Sequence, residues 1–144
     1  MKTRIVIPAV APEAYEALMN LEKYIATTSL TPTHKELIKI RASQLNGCAF
    51  CINMHTADAR KQGETEQRIY LTNAWREADV YTAEEKAIFA LTEEITMISH
   101  HVSDEVYQNA ARLFDEKYLA EIILMIITIN SWNRFAIATG LRVA

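Results

Sequence analysis

Between Glu13 and about Thr27, the apolar residues Tyr15, Leu18, Leu21 and Ile25 recur at spacings of three, three and four, which is one face of a helix. The same period returns further along. Ile88, Leu91, Ile95 and Ile98 line one face of a later segment, and Val106, Ala110 and Leu113 are expected to point inward from the next. No stretch shows persuasive alternation with period two, the pattern of a half-buried strand.

Boundary signals divide these faces into elements. The residues after Thr3 (RIVIPAVAP) read as extended, because Pro8 and Pro12 disfavour helix across them. Thr31-Pro32 pairs an N-cap with a proline at the first helical position. That helix should run to about Leu45 and stop at Asn46-Gly47, which tolerate a left-handed C-cap. A helix from near Cys48 to near Gly63 follows, then a short one over Glu66 to Glu77. Thr82-Ala-Glu-Glu85 is a capping box, and Ser103-Asp104-Glu105 caps another helix. The last helix spans about Lys117 to Thr139, with Gly140 as its end. The sum is about seven helices and an all-α class. The final helix is apolar on nearly every side, a hint of burial against another subunit.

Composition supports this picture and narrows the function. A chain of 144 residues fits one domain over 1–144, and half of its residues are hydrophobic, enough for a core without covalent staples. The net charge of −3 offers no basic footprint for nucleic acid. The longest apolar run, LAEIILMIITI, has 11 residues and contains Glu121. A membrane span needs roughly 20, so it reads as a buried core helix and no membrane is expected. The N-terminal apolar run is too brief for a secretory signal, and a cytoplasmic location is expected.

The chemistry sits in NGCAFCINMH, which holds both cysteines of the chain. Cys48, Cys51 and His55 fall at helical intervals on one face, with the cysteines at the positive end of the helix dipole. A helix N-terminus lowers a thiol pKa, a nearby imidazole can take its proton, and a second thiol can resolve an oxidised first one as a disulfide. Three readings are open: a dithiol redox centre, a metal site, or two inert buried thiols. In a reducing cytosol a close pair is more often catalytic or metal-binding than a static bridge. A metal would need further ligands, yet His34, His100 and His101 are distant in sequence and no second Cys-x-x-Cys exists. The neighbouring Asn46, Asn53 and His55 make the surroundings polar, which favours redox chemistry over inert core. Glu36, 12 residues before Cys48, could approach the cysteine helix if the two helices fold back on each other. It also completes Thr33-x-x-Glu36, a capping box in which it would only satisfy backbone N–H groups.

Other residues are set aside. His100-His101 read as a solvated turn, and Met97 and Met125 as core fillers. Trp75, Trp132 and Tyr118 are assigned to packing or interfaces, while Trp132-Asn133-Arg134 is kept as a segment that could line the site from a neighbouring subunit.

The stretch ELIKIRASQLNGCAFCINMHTADARKQG resembles the core motif of the AhpD-like alkylhydroperoxidases of the carboxymuconolactone decarboxylase superfamily: a glutamate, eleven residues, then Cys-x-x-Cys-x-x-x-His. The C-terminal INSWNRFAIATG is similar to the segment that closes many small members. The resemblance implies a compact all-α fold assembled as a homotrimer or homohexamer. It also implies a thiol-dependent peroxidase that reduces organic hydroperoxides, with a pair cycling between dithiol and disulfide. Cys51 would attack the peroxide, Cys48 would resolve it and receive a dithiol reductant, whether small molecule or protein. His55 would assist Cys51, and Glu36 would belong to a proton relay serving Cys48. No cofactor and no metal are implied. The best-studied members carry a histidine directly before the second cysteine; Phe50 stands there in this chain, so the relay is simpler or uses another group. Alternative readings are a thiol–disulfide exchanger, a redox sensor, or a decarboxylase-type enzyme on the same fold.

Overall fold

The computed structural model describes residues 4–143. Among them are eight α-helices and no strand. The additional helix is α1, a single turn over Ile7–Val10, in the segment expected to be extended. Pro8 lies in its first turn, where the missing N–H breaks no helical bond. By the same logic α2 (Pro12–Thr27) begins at Pro12.

Helix α3 (Pro32–Asn46) starts where Thr31 Oγ1 accepts a hydrogen bond from the His34 N–H at 3.1 Å. The cap is therefore Thr31, not a box from Thr33 to Glu36, and the Glu36 carboxylate is left for other partners. Gly47 ends α3 in the left-handed region (φ 68°) and turns the chain into α4 (Ala49–Lys61). Helix α5 (Glu66–Leu71) runs into a 3₁₀ segment, Thr72–Glu77. The reciprocal Thr82–Glu85 box opens α6 (Ala83–Thr96). Ser103 caps α7 (Asp104–Leu113). The cap of α8 (Glu116–Thr139) is Asp115, whose carboxylate accepts from the Tyr118 N–H at 2.8 Å; Gly140 (φ 74°) ends the helix.

Helix α3 is the central element and packs on α4, α6 and α8. The main core joins Ile38 and Ala42 of α3, Ile88 and Leu91 of α6, and Ile122, Met125, Ile126 and Ile129 of α8. The apolar run in α8 is thus a core helix. Its one carboxylate, Glu121, is buried and accepts from the Ser29 N–H (3.0 Å) and Oγ–H (2.6 Å), the compensation a buried polar group requires.

Three residues assigned to the interior lie outside it. Ile98 and Met97 are exposed because α6 stops at Thr96, so its apolar phase does not carry into the following turn. Leu113 is exposed at the last position of α7, beyond the point where Ala110 is buried.

A polar knot on Glu93 ties α6 to α3 and to the 3₁₀ segment. Its Oε1 accepts from Arg41 Nε (2.9 Å) and Trp75 Nε1 (2.8 Å), and its Oε2 lies 2.7 Å from the Arg76 guanidinium. Burial is the largest influence and pushes this carboxyl up; Arg76, Trp75 and Arg41 together outweigh it and hold it below the ordinary value. A carboxyl lowered on folding stabilises fully above the ordinary carboxylate range and loses that contribution as pH falls through the lowered value. Glu93→Ala leaves Arg41 poorly compensated and is expected to destabilise by ~3 kcal/mol. Urea unfolding at neutral pH checks this, and the deficit should shrink in acid.

Candidate active site

Helices α3 and α4 form a hairpin about Gly47. Glu36 lies eleven residues before that corner and His55 eight after it, so at 1.5 Å per residue each is roughly 12–16 Å from the turn. The antiparallel return sets them side by side: His55 Nδ1 is 3.2 Å from Glu36 Oε2. Both side chains are buried; the two atoms lie at ion-pair distance, without an aligned hydrogen bond to each other or to any other group among the described residues. The other Glu36 oxygen accepts from Lys39 Nζ at 3.1 Å. Burial is the strongest influence on the Glu36 carboxyl and pushes it up; His55 and Lys39 more than offset this, so it sits below the ordinary value. Glu36 is therefore an anion beside the imidazole that shares a cavity wall with Cys51. With Nδ1 committed to Glu36, Nε2 is the nitrogen left for chemistry.

Cys48 and Cys51 are joined as a disulfide with Cα atoms 5.3 Å apart, and both residues are 2% exposed. The stripe foreseen along one helix begins one position earlier than the helix itself. Cys48 is the N-cap of α4, and its sulfur accepts from the Cys51 N–H at 3.3 Å. The corner is locked from α8. Asn46 Nδ2 donates to the side-chain oxygens of Asn130 and Asn133, both at 2.9 Å, and buried Asn133 donates to Ser43 Oγ at 2.9 Å. All four predicted residues, Glu36, Cys48, Cys51 and His55, thus come together around one hairpin.

Cys51 and His55 open onto a cavity of about 480 Å³ between α2, α4 and α8. Its wall is mainly apolar, with Met19, Met54, Met125 and Phe135 prominent. Tyr15 and Trp132 meet edge-on, with ring centroids 5.9 Å apart, and Trp132 Nε1 donates to Glu22 at 3.0 Å. Trp132 packs against the main core, as assigned, and also lines the cavity of its own chain. Of the other two residues in that segment, Asn133 is part of the corner lock and Arg134 bonds back to Asn130. Trp75 packs against Phe89 at 5.6 Å, as assigned. Phe50 packs against the two cysteines and Ala136. His100 and His101 are exposed in the turn after α6, and His34 bonds to the Tyr118 hydroxyl at 2.6 Å. Among the described residues, no three His, Cys, Asp or Glu side chains are grouped as a metal site.

A helical hairpin carrying a Cys-x-x-Cys disulfide, with a histidine one turn on and a buried glutamate behind it, defines an AhpD-like all-α protein. The chain belongs to the carboxymuconolactone decarboxylase family, whose sequence profile matches residues 12–94. The uncharacterized protein YdfG of Bacillus subtilis (strain 168) is 52% identical over 145 residues, covering all of this chain and 99% of that one. A crystal structure from Agrobacterium tumefaciens, of a protein of unknown function proposed as an antioxidant defence protein AhpD, superposes with a TM-score of 0.95 at 37% identity, over 99% of both chains. The debrominase Bmp8 shares the fold, with a TM-score of 0.85 at 21% identity over 94% of this chain and 74% of its own.

Proposed function

We propose that the protein is a thiol peroxidase that reduces organic hydroperoxides. The observation that carries this reading is the position of Cys51, which lines a largely apolar cavity together with a histidine backed by a buried carboxylate. In the reduced form the Cys51 thiolate, favoured at the N-terminus of α4, attacks the terminal oxygen of ROOH. The O–O bond breaks, Cys51 becomes a sulfenic acid, and the alkoxide takes a proton to leave as ROH. His55 accepts the thiol proton beforehand and is placed to return it to the alkoxide. Cys48 then attacks the sulfenic sulfur, water leaves, and the disulfide seen here results. A dithiol returns the pair to the reduced form.

Single-turnover oxidation of the reduced protein by cumene hydroperoxide tests this directly. Loss of both free thiols with a mass lower by about 2 Da is expected; thiols that persist in excess peroxide would sink the reading. The cavity wall should also set substrate preference. Removing the indole in Trp132→Ala is expected to lower kcat/KM for cumene hydroperoxide by ~10-fold or more, with a much smaller loss for hydrogen peroxide. Steady-state kinetics on the two peroxides checks this.

A further inference from the structure

Lys39 is the only lysine or arginine lining the Cys51 cavity among the described residues. It follows Glu36 by one turn of α3, and its ammonium donates to Glu36 Oε1 at 3.1 Å. The side chain is only 13% exposed. An ammonium has three N–H donors and no acceptor capacity. Glu36 takes one of them, and among the described residues no other acceptor takes the remaining two. The two other carboxylates in the cavity wall have partners of their own: Glu22 accepts from Trp132 Nε1 at 3.0 Å, and Asp58 pairs with Lys61 at 3.4 Å. A largely buried cation with two unused donors therefore shares one cavity wall with the sulfur of Cys51 and the imidazole of His55. Leaving such donors unmet is costly, and the cavity is where an incoming oxygen can meet them.

We propose that Lys39 is the oxyanion donor of this site: its unused N–H groups hydrogen-bond the inner oxygen of an alkyl hydroperoxide and stabilise the charge that grows there. This rests on the reading of the cavity as the hydroperoxide site. The Cys51 thiolate gives an electron pair to the terminal oxygen, which keeps its hydrogen and becomes the sulfenic hydroxyl. The O–O electron pair leaves on the inner oxygen as an alkoxide. His55 supplies the proton that completes ROH, and Lys39 keeps its own. An alkoxide is a strong base, so its developing charge is where help is most needed. A cation already fixed in an apolar wall gives that help without reorganising at the moment of reaction. Glu36 does the fixing. One of its oxygens accepts from Lys39 at 3.1 Å and the other lies 3.2 Å from His55 Nδ1, so a single carboxylate positions both the proton carrier and the oxyanion donor.

The test compares single-turnover oxidation of the reduced protein by cumene hydroperoxide, whose leaving group is an alkoxide, and by perbenzoic acid, whose leaving group is a carboxylate and needs little stabilisation. The readout is the ratio of the two rate constants, in which a general disturbance of Cys51 or of folding cancels. Lys39→Met is expected to lower the cumene hydroperoxide-to-perbenzoate ratio by about tenfold. Where Lys39→Met fails to fold, Lys39→Gln carries the same test, with a fall of about threefold because its amide still donates. Lys39 also touches Glu36, so the substitution is repeated on Glu36→Gln, where the route through Glu36 to His55 is already cut. The ratio should fall there too; a fall seen only with Glu36 present makes Lys39 a mere partner of that carboxylate and overturns the proposal. An unmoved ratio in a protein that still consumes cumene hydroperoxide overturns it as well, and leaves the peroxidase reading standing. Thiols of the unaltered protein that persist in cumene hydroperoxide sink both together.

Discussion

Replacing Cys51 with serine is expected to abolish hydroperoxide turnover, by on the order of 10⁴-fold, whereas Cys48→Ser should still react once. The asymmetry follows from placement. Cys51 lines the apolar cavity with His55, whereas Cys48 lines a separate surface depression with Gly47 and the end of α8. A serine hydroxyl at Cys51 is a poor nucleophile toward peroxide oxygen, and nothing else in the cavity replaces the thiolate. In Cys48→Ser the first attack survives, but the sulfenic acid has no resolving thiol and excess peroxide drives it to sulfinic acid. Intact mass after peroxide treatment separates the two variants: about 32 Da is gained in the second and nothing in the first. Wild-type turnover in Cys51→Ser would overturn the assignment of the attacking sulfur.

His55→Ala should lower the rate of peroxide attack by about 100-fold, the range of a lost general base. Glu36→Gln should cost less, about tenfold, because it removes the charge behind the imidazole but keeps the shape. The pH profile distinguishes the two roles. The Glu36 carboxyl lies below its ordinary value, so it is charged at and above the ordinary carboxylate range and loses its charge only as pH falls through the lowered value. Its help to His55 is therefore constant from about pH 5 upward, and the Glu36→Gln deficit should be flat across that window and fade in stronger acid. Stopped-flow peroxide kinetics from pH 4 to 9 measures this. A deficit that instead grew as pH fell from 6 to 4 would mean that Glu36 acts through a neutral carboxyl, contrary to its pairing with Lys39 and His55.

Much of this site was legible in the chain because its placement is local. The spacing of Cys48, Cys51 and His55 needs only one helix, and the Gly47 turn needs only a residue that accepts positive φ. The Thr31, Thr82 and Ser103 caps were read for the same reason. Glu36 was the first step beyond the local. Its capping-box alternative was equally consistent with the sequence, and only the hairpin geometry turned the carboxylate toward His55. The cavity wall was harder to see. Tyr15, Met19 and Glu22 recur at helical spacing on α2, and Met125, Ile129, Trp132 and Ala136 do so on α8, but the same stripes would serve a dry core. Whether two stripes meet or leave a gap between them is a property of packing, not of periodicity. The Asn46–Asn130–Asn133 lock left no sequence signal beyond two amides one turn apart on α8 and a third far away in the chain. Pro8 misled for a physical reason: proline excludes the interior of a helix but not its first turn.

That lock also sets an order of events during synthesis. Ser43 and Asn133 are 90 residues apart, and Trp132 and Ala136 belong to the same late helix. At about 5–20 residues per second the ribosome needs on the order of 5–20 s to add that span. Through this interval the nascent chain carries both thiols without the α8 wall, the amide clamp or the indole. A growing chain therefore carries its dithiol without the apolar wall, which is completed only when the last helix docks.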